Sequence, residues 1–261
     1  MTNSVSRGLL ALTLLLAPAL AAAEEGMESA QIDLTDKASL QRGAKLYMSY
    51  CSGCHALSYQ RYSRVAKDLD LSEDQVTHNL IFNDQRVGET INTGLDAKQG
   101  ADWFGKAPPD LSVEARLKEQ GGDWIYNYLK SFYVDESRPS GWNNTVYPGV
   151  SMPHVLWELQ GVQHAVTEPK KKDANGQEEG CEKGEYEGQC VTGFSIPDSQ
   201  KGTATPEQYD AVARDISAFL TYTSEPARLQ RESIGVWVVL FLAFFTLLAY
   251  LLKSEYWRDI H

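Results

Sequence analysis

The stretch YMSYCSGCHALSY places Cys51 and Cys54 three residues apart, with His55 directly after the second cysteine. Three kinds of site use such a pattern: a redox-active dithiol, half of a zinc site, and a pair of covalent anchors for a haem whose iron binds the histidine. Thioether bonds to two vinyl groups on one edge of a porphyrin need sulfurs about one helical turn apart, followed by an imidazole that projects over the ring. The context of the motif has to decide among the three.

The residues before the motif have the periodicity of a helix. The segment LTDKASLQRGAKLYMSYC offers Thr35 or Asp36 as an N-cap, and its inward positions recur at helical spacing: Leu40, Ala44, Tyr47 and Cys51. A thioredoxin-type dithiol needs a strand before the motif, and none is predicted here. Zinc needs two further ligands, whereas the remaining histidines are isolated in the sequence. The context therefore favours one covalently bound haem c.

The N-terminal residues predict a secretory signal peptide over residues 1–23. Arg7 is the only charged residue before the apolar run from Leu9 to Leu20, and three alanines precede the expected cleavage after Ala23. A buried helix or a membrane span is the alternative, but the run is short for a span. We therefore expect the mature chain to be exported.

The C-terminal part contains a second apolar run without any charge, over residues 234–252. At about 1.5 Å per residue it is roughly 28 Å long, close to the thickness of the hydrocarbon core of a bilayer. The expected organisation is a haem domain over 24–226 outside the cytoplasm, a linker over 227–233, one transmembrane helix and a cytoplasmic tail over 253–261.

Two further cysteines, Cys181 and Cys190, flank the polar segment EKGEYEGQ. In an exported chain a remaining even pair with no histidine nearby predicts a disulfide rather than a zinc site. The formal net charge of −11 argues against nucleic acid as a partner and is compatible with a basic protein partner.

A haem bound through one histidine leaves a sixth iron ligand to be found. Two of the methionines are poor candidates: Met27 lies at the expected new terminus, and Met48 lies on the helix before the motif. Met152, in the irregular segment YPGVSMPHVLWELQG, is the remaining candidate. His154 is the rival, and His78 and His164 are weaker alternatives. A methionine ligand gives a higher reduction potential than a second histidine, so the choice affects where the protein acts in an electron-transfer chain.

Five segments in this order resemble the cytochrome c1 family of the bacterial cytochrome bc1 complex: CSGCHALSYQRY, WFGKAPPDLS, DWIYNYLKSFY, RPSGWNN and GVSMPHVLW, followed by one C-terminal span. The resemblance implies a mainly α, cytochrome c-like haem domain with long loops. It implies His55 and Met152 as iron ligands, a carbonyl of Pro108 or Pro109 that accepts from the His55 ring, and a basic partner for a haem propionate. Arg116 is favoured for that last role over Lys118.

The same resemblance implies the function. It predicts a mono-haem electron carrier without bond-breaking chemistry of its own, which passes single electrons from a Rieske iron–sulfur protein to a soluble or tethered cytochrome c. Cytochrome b and membrane lipid are the other expected partners, in a dimeric complex, with the haem domain on the periplasmic side of the bacterial inner membrane. The alternatives are a free-standing anchored shuttle or an oxidase subunit and, in a different class, an exported thiol–disulfide oxidoreductase.

The segment APPDLS also has an interpretation that does not depend on the resemblance. Two consecutive prolines favour a turn, and Asp110 or Ser112 then suits the N-cap of a following helix. This interpretation places a turn before a helix capped by Asp110 or Ser112, and it is compatible with the role that the resemblance implies for the prolines.

A last helix is predicted from its own signals. TPEQYDAVARDISAFLTYTSEP begins with Thr205 as N-cap and Gln208 as its capping-box partner, and Glu225-Pro226 ends it. We expect this helix to pack on the helix before the motif, with Gly43 allowing close backbone approach.

Overall fold

The helix before the motif, α1 (Lys37–Tyr50), crosses the long helix α8 (Pro206–Ser224), and this crossing organises the core. The computed structural model describes residues 27–172, 177–178, 180–181 and 184–258. Within these residues the helices are α1 (Lys37–Tyr50), α2 (Tyr62–Asp68), α3 (Glu73–Leu80), α4 (Ala97–Phe104), α5 (Glu114–Leu117), α6 (Gly122–Lys130), α7 (Trp157–Gln160), α8 (Pro206–Ser224) and α9 (Arg228–Tyr256). The strands are β1 (Leu57–Arg61), β2 (Thr90–Ile91), β3 (Phe132–Val134), β4 (Trp142–Asn144), β5 (His164–Glu168), β6 (Glu185–Tyr186) and β7 (Gln189–Ser195). The mainly α prediction is confirmed, and the predicted signal peptide lies outside the described residues.

Both helices of the crossing begin where the sequence predicts. Asp36 accepts a hydrogen bond from the Ser39 N–H at the start of α1, and Thr205 and Gln208 form a complete capping box at the start of α8. Gly43 of α1 lies against the backbone of α8: a Cβ built on it would be 2.0 Å from the carbonyl oxygen of Asp215. Only glycine permits this approach, so the expected role of Gly43 is confirmed.

A polar clamp fixes the same crossing. The Asp215 carboxylate, buried between the helices, accepts hydrogen bonds from Ser39 Oγ at 2.6 Å and from Arg42 Nε at 2.6 Å. Because both partners lie on the first turns of α1, the carboxylate sets the rotation of α1 relative to α8. The motif at the C-terminal end of α1 is thereby held on a rigid support.

The hairpin of β3 and β4 shapes the segment that leads to Met152. The two strands are antiparallel, with Phe132 opposite Asn144 and Val134 opposite Trp142. Asn144 Nδ2 donates to the Tyr128 carbonyl at 2.7 Å, which ties the hairpin to α6. The RPSGWNN segment is therefore anchored both by the pairing of β4 with β3 and by the side-chain amide of Asn144.

The segment 161–202, for which no structure was predicted, contains a small antiparallel sheet in the order β5-β7-β6. Cys190 lies in β7 and forms the expected disulfide with Cys181, with their Cα atoms 5.1 Å apart. Tyr133 of β3 packs edge-on against Tyr186 of β6, so the sheet contacts the β3–β4 hairpin.

The C-terminal helix α9 contains one stretch long and apolar enough to cross a membrane, Ile234–Tyr256, with a mean hydropathy of 2.5. The helix starts earlier than the apolar run, at Arg228, so most of the segment expected as a linker over 227–233 is helical. No proline or glycine follows Pro226 until Gly235, and nothing in the local sequence interrupts the helix there.

One sequence expectation near the prolines is wrong. Asp110 or Ser112 was expected to cap the next helix, but α5 starts after Val113, and no described side chain caps it. The Asp110 carboxylate instead accepts from the N–H groups of Ser58 and Ser112, at 2.9 and 2.7 Å. Two nearby backbone donors therefore compete successfully for the carboxylate that could have capped α5.

Candidate haem site

The Cys51-to-His55 motif forms a tight turn at the C-terminal end of α1. The N–H groups of Cys54 and His55 both donate to the Cys51 carbonyl, at 3.1 and 2.9 Å, and both cysteines are free thiols. Thr93 Oγ1 donates to the Gly53 carbonyl at 2.7 Å, and Tyr47 Oη donates to the His55 carbonyl at 2.8 Å. The turn is thus fixed from two sides, with the two cysteines one helical turn apart, as a porphyrin edge requires.

His55 presents one ring nitrogen to the protein and leaves the other available. Its Nδ1 lies 2.7 Å from the carbonyl oxygen of Pro109, which has no proton to donate, so Nδ1–H is the donor and Nε2 carries the lone pair. Burial lowers the pKa of His55 although the bond to Pro109 opposes this, and the ring is therefore neutral near pH 7. A neutral imidazole with its outer nitrogen available is the form that binds iron.

The segment that supplies the Pro109 carbonyl is itself held in place. Leu111 N–H donates to the Ala56 carbonyl at 2.9 Å, and the Asp110 carboxylate accepts from Ser58 and Ser112. Burial alone would raise the pKa of Asp110, but these hydrogen bonds lower it, so the carboxylate stays charged and keeps both donors. The orientation of the His55 ring is therefore set by a carbonyl that cannot move freely.

Met152 is placed by an aromatic helix face. The Tyr128 hydroxyl of α6 donates to Met152 Sδ at 3.4 Å, and the Tyr128 ring stacks on Trp124 with centroids 5.0 Å apart. Burial, and then the nearby Glu114, raise the pKa of Tyr128, so its hydroxyl keeps its proton and acts as the donor. The helical spacing of Trp124 and Tyr128 is visible in the sequence, but the contact with Met152 was not predicted.

The rival ligand His154 lies elsewhere. It is only 2% exposed, with its ring stacked on Phe132 at 5.0 Å and edge-on to Trp142 at 5.1 Å. Burial lowers its pKa to about 4, which keeps the ring neutral. Met152, by contrast, is partly exposed, as are both cysteines and the histidine of the motif. A flat cofactor must be able to contact its ligands from a cleft at the surface. Met152 is accessible for such a contact, whereas the ring of His154 is enclosed by other side chains.

The two candidates for a propionate partner, Arg116 and Lys118, lie in different surroundings. Lys118 Nζ lies over the Trp124 ring, 4.0 Å from its centroid, and 3.3 Å from the Glu114 carboxylate. Arg116, which the family resemblance favoured, lines a cavity between the N-terminal segment and the start of α9. The short helix α5 explains the difference, because residues two apart on a helix point in different directions.

The geometry argues against the other two uses of the motif. Cys51 is the C-cap of α1, at the negative end of a helix dipole, and burial followed by the neighbouring Cys54 raises its pKa to about 12. A reactive dithiol needs the opposite, a low thiol pKa of the kind found at helix N-termini. Within the described residues no group of three His, Cys, Asp or Glu side chains is placed to bind a metal ion, so a zinc site has no support there.

Comparison with known proteins adds an independent finding. The Cytochrome C1 family profile matches residues 28–173 and 199–260, leaving out most of the small β5-β7-β6 sheet. The chain is 48% identical to "Cytochrome c1" of Allochromatium vinosum over 97% of this chain and 98% of that protein. It is 41% identical to the "Ammonia monooxygenase gamma subunit" of Nitrosomonas europaea, covering 97% of each chain, and 26% identical to "Cytochrome c1" of Rhodospirillum rubrum, covering 86% and 83%.

Proposed function

Because this chain belongs to the cytochrome c1 family, we propose that it is the c-type subunit of a quinol–cytochrome c oxidoreductase and carries one covalent haem c. It accepts single electrons from a Rieske iron–sulfur protein and gives them to a soluble or tethered cytochrome c. Cytochrome b is its membrane neighbour, and the complex is a dimer. The chain is an electron carrier and breaks no substrate bond itself.

One observation supports this proposal most strongly: two free thiols one turn apart stand next to a neutral histidine whose Nδ1 is bonded to the Pro109 carbonyl. Each component has a definite use in haem binding. Cys51 and Cys54 would form the thioether links, and His55 Nε2 would bind the iron on one face. When bound, the haem supplies an iron that changes between the ferric and ferrous states by one electron.

The remaining groups would tune and position that chemistry. The Pro109 carbonyl keeps the His55 ring in one orientation and increases the basicity of Nε2. Met152 Sδ is the second iron ligand in this proposal, and a thioether favours the ferrous state more than an imidazole does. We propose Lys118 rather than Arg116 as the partner of a haem propionate, because Lys118 Nζ lies over Trp124, the ring that stacks on Tyr128, whose hydroxyl donates to Met152.

The location follows from the same proposal. With the signal peptide over 1–23 removed and the apolar stretch Ile234–Tyr256 in the bilayer, the haem domain is on the periplasmic side of the bacterial inner membrane. The apolar side chains of α9 are exposed in the chain alone, as expected for a helix that faces lipid or cytochrome b.

Two measurements on the purified protein test the proposal. Intact-mass analysis should find the chain without residues 1–23 and heavier by one haem, and a pyridine haemochrome spectrum of the denatured chain should show haem still attached. Isolation from mild detergent should bring along a b-type cytochrome and a Rieske protein. A chain without attached haem contradicts the cofactor assignment, while haem without those two partners favours a free-standing shuttle or an oxidase subunit.

The propionate assignment predicts different results for a matched pair of variants. Lys118→Met should lower the midpoint potential of the haem by some tens of millivolts, because removing a nearby positive charge stabilises the ferric state. Arg116→Met should leave the midpoint potential unchanged. A redox titration of both purified variants makes the comparison, and the reverse order would restore Arg116 as the partner.

A further inference from the structure

A column of aromatic rings begins on α6 and continues through β3 into the Met152 segment. Trp124 and Tyr128 lie one turn apart on α6, and Phe132 is the first residue of β3. Neighbouring ring centroids along these three residues are 5.0 Å apart, and Phe132 stacks on His154 at the same distance. Trp142 of β4 closes the column by its edge-on contact with His154. The column therefore holds both the hydroxyl that reaches Met152 and the residue two positions after Met152.

This arrangement leaves the Tyr128 hydroxyl little freedom. Its ring is flanked by Trp124 on one face and by Phe132 at 71° to it, and the backbone carbonyl of Tyr128 is bound by Asn144 Nδ2 at 2.7 Å. The Met152 segment is held two residues further on by His154, which is buried and stacks on the same Phe132. Because one packed aromatic cluster fixes both the Tyr128 ring and the segment of Met152, their hydrogen bond is pre-organised.

We propose that Tyr128 is a positioning residue that tunes the reduction potential through its hydrogen bond to Met152 Sδ. This inference rests on the proposed role of Met152 as iron ligand. A thioether sulfur has two lone pairs, and the one that does not bind iron accepts the Tyr128 O–H. The hydrogen bond withdraws electron density from the sulfur, so the sulfur donates less to iron and the electron-poor ferric state is less stabilised. Tyr128 thereby raises the midpoint potential and holds the sulfur in one orientation.

The test uses Tyr128→Phe in the purified holoprotein or complex, because phenylalanine keeps the stacked ring and removes only the hydroxyl. The midpoint potential should fall, with a several-fold increase in the ferric-to-ferrous ratio at a fixed applied potential; a tenfold increase corresponds to about 59 mV for one electron. The ferric sulfur-to-iron charge-transfer band should also shift. Haem content and thermal unfolding are measured in parallel to show that the variant is folded.

The matched control is Tyr126→Phe on the same helix. The Tyr126 hydroxyl bonds to Asp210 and to Lys130 Nζ, away from Met152, so its loss affects packing and hydrogen bonding without touching the sulfur. A lower midpoint and shifted band in Tyr128→Phe alone support the proposal. If the two variants have equal midpoint potentials, the proposal is overturned, whether both potentials are unchanged or both are lowered.

A third variant separates this inference from the ligand assignment. If Met152→Leu abolishes the charge-transfer band while Tyr128→Phe leaves the midpoint unchanged, Met152 is the ligand and only the role of Tyr128 is wrong. If the band persists in Met152→Leu, the sulfur is not on the iron, and both the ligand assignment and the tuning role are overturned.

Discussion

Replacing Met152 with leucine should abolish the ferric sulfur-to-iron charge-transfer band and lower the midpoint potential of the haem. Leucine has no lone pair to give to iron, and the site loses the thioether that favours the ferrous state. We expect a fall on the order of 0.1–0.3 V, within the range of roughly 0.8 V over which axial ligands set haem potentials. Absorption spectra and a redox titration of the purified complex measure both effects.

The fold should survive this change. Methionine and leucine have similar volumes, and such swaps usually cost less than about 1.5 kcal/mol in the free energy of unfolding. Met48 provides a control of the same kind: it is buried in α1, three residues before Cys51. Met48→Leu should keep the band and the midpoint potential. If Met152→Leu keeps them as well, Met152 is not the ligand, and His154→Leu becomes the next variant to measure.

The functional consequence follows from the direction of the change. A carrier with a lower potential is a weaker oxidant for the Rieske protein, so the forward electron transfer becomes less favourable. Quinol-dependent reduction of cytochrome c by the complex should therefore fall in Met152→Leu and remain near normal in Met48→Leu. Equal rates in the two variants would show that the iron ligand does not control electron flow through this subunit.

Local signals were the most predictable part of the fold. The caps at Asp36 and Thr205 and the end of α8 at Glu225 involve residues within one turn of each other, so they can be read directly from the sequence. The role of Gly43 was predictable for a related reason, since a glycine on the inward face of a helix indicates a close backbone neighbour. These features together determined the crossing of α1 and α8.

The site was predictable only where the motif is contiguous. Cys51, Cys54 and His55 lie in one turn, whereas the hydrogen bond from Tyr128 to Met152 joins residues 24 positions apart through an irregular segment. The path of such a segment depends on side-chain amides such as that of Asn144, and these have no periodic signature. The helical spacing of Trp124 and Tyr128 was the one available signal for this contact, and aromatic residues that only pack in the core have the same spacing.

The choice between Arg116 and Lys118 could not be made from the sequence, for a different physical reason. Both residues lie in or directly after α5, a helix of only four residues, and neither the cap nor the hydrophobic periodicity is strong enough to define its rotation. Neither Asp110 nor Ser112 caps the helix, and the Asp110 carboxylate accepts from the N–H groups of Ser58 and Ser112 instead. The direction of each basic side chain therefore depends on tertiary contacts.

Gly43→Ala should destabilise the haem domain more than an ordinary surface substitution. The new Cβ would lie 2.0 Å from the Asp215 carbonyl oxygen and 2.8 Å from Phe219 Cβ, so α1 and α8 have to separate. Overpacking usually costs about 1–3 kcal/mol, and the upper end is expected here because one clashing atom belongs to the backbone. Separation would also strain the Asp215 clamp to Ser39 and Arg42.

The effect should reach the haem, because α1 carries Cys51 at its C-terminal end. We expect less haem per chain and an apparent unfolding temperature lower by about 6–12 °C for a loss of about 3 kcal/mol in a domain of this size. Gly88→Ala is the matched control, since apart from Gly88 and its two chain neighbours no atom of the described residues lies within 4 Å of the position that its Cβ would take, and its φ is not in the left-handed region. Gly88→Ala should have the haem content and unfolding temperature of the unaltered chain. If Gly43→Ala has these values as well, α1 and α8 can separate without cost, and their close contact does not support the site.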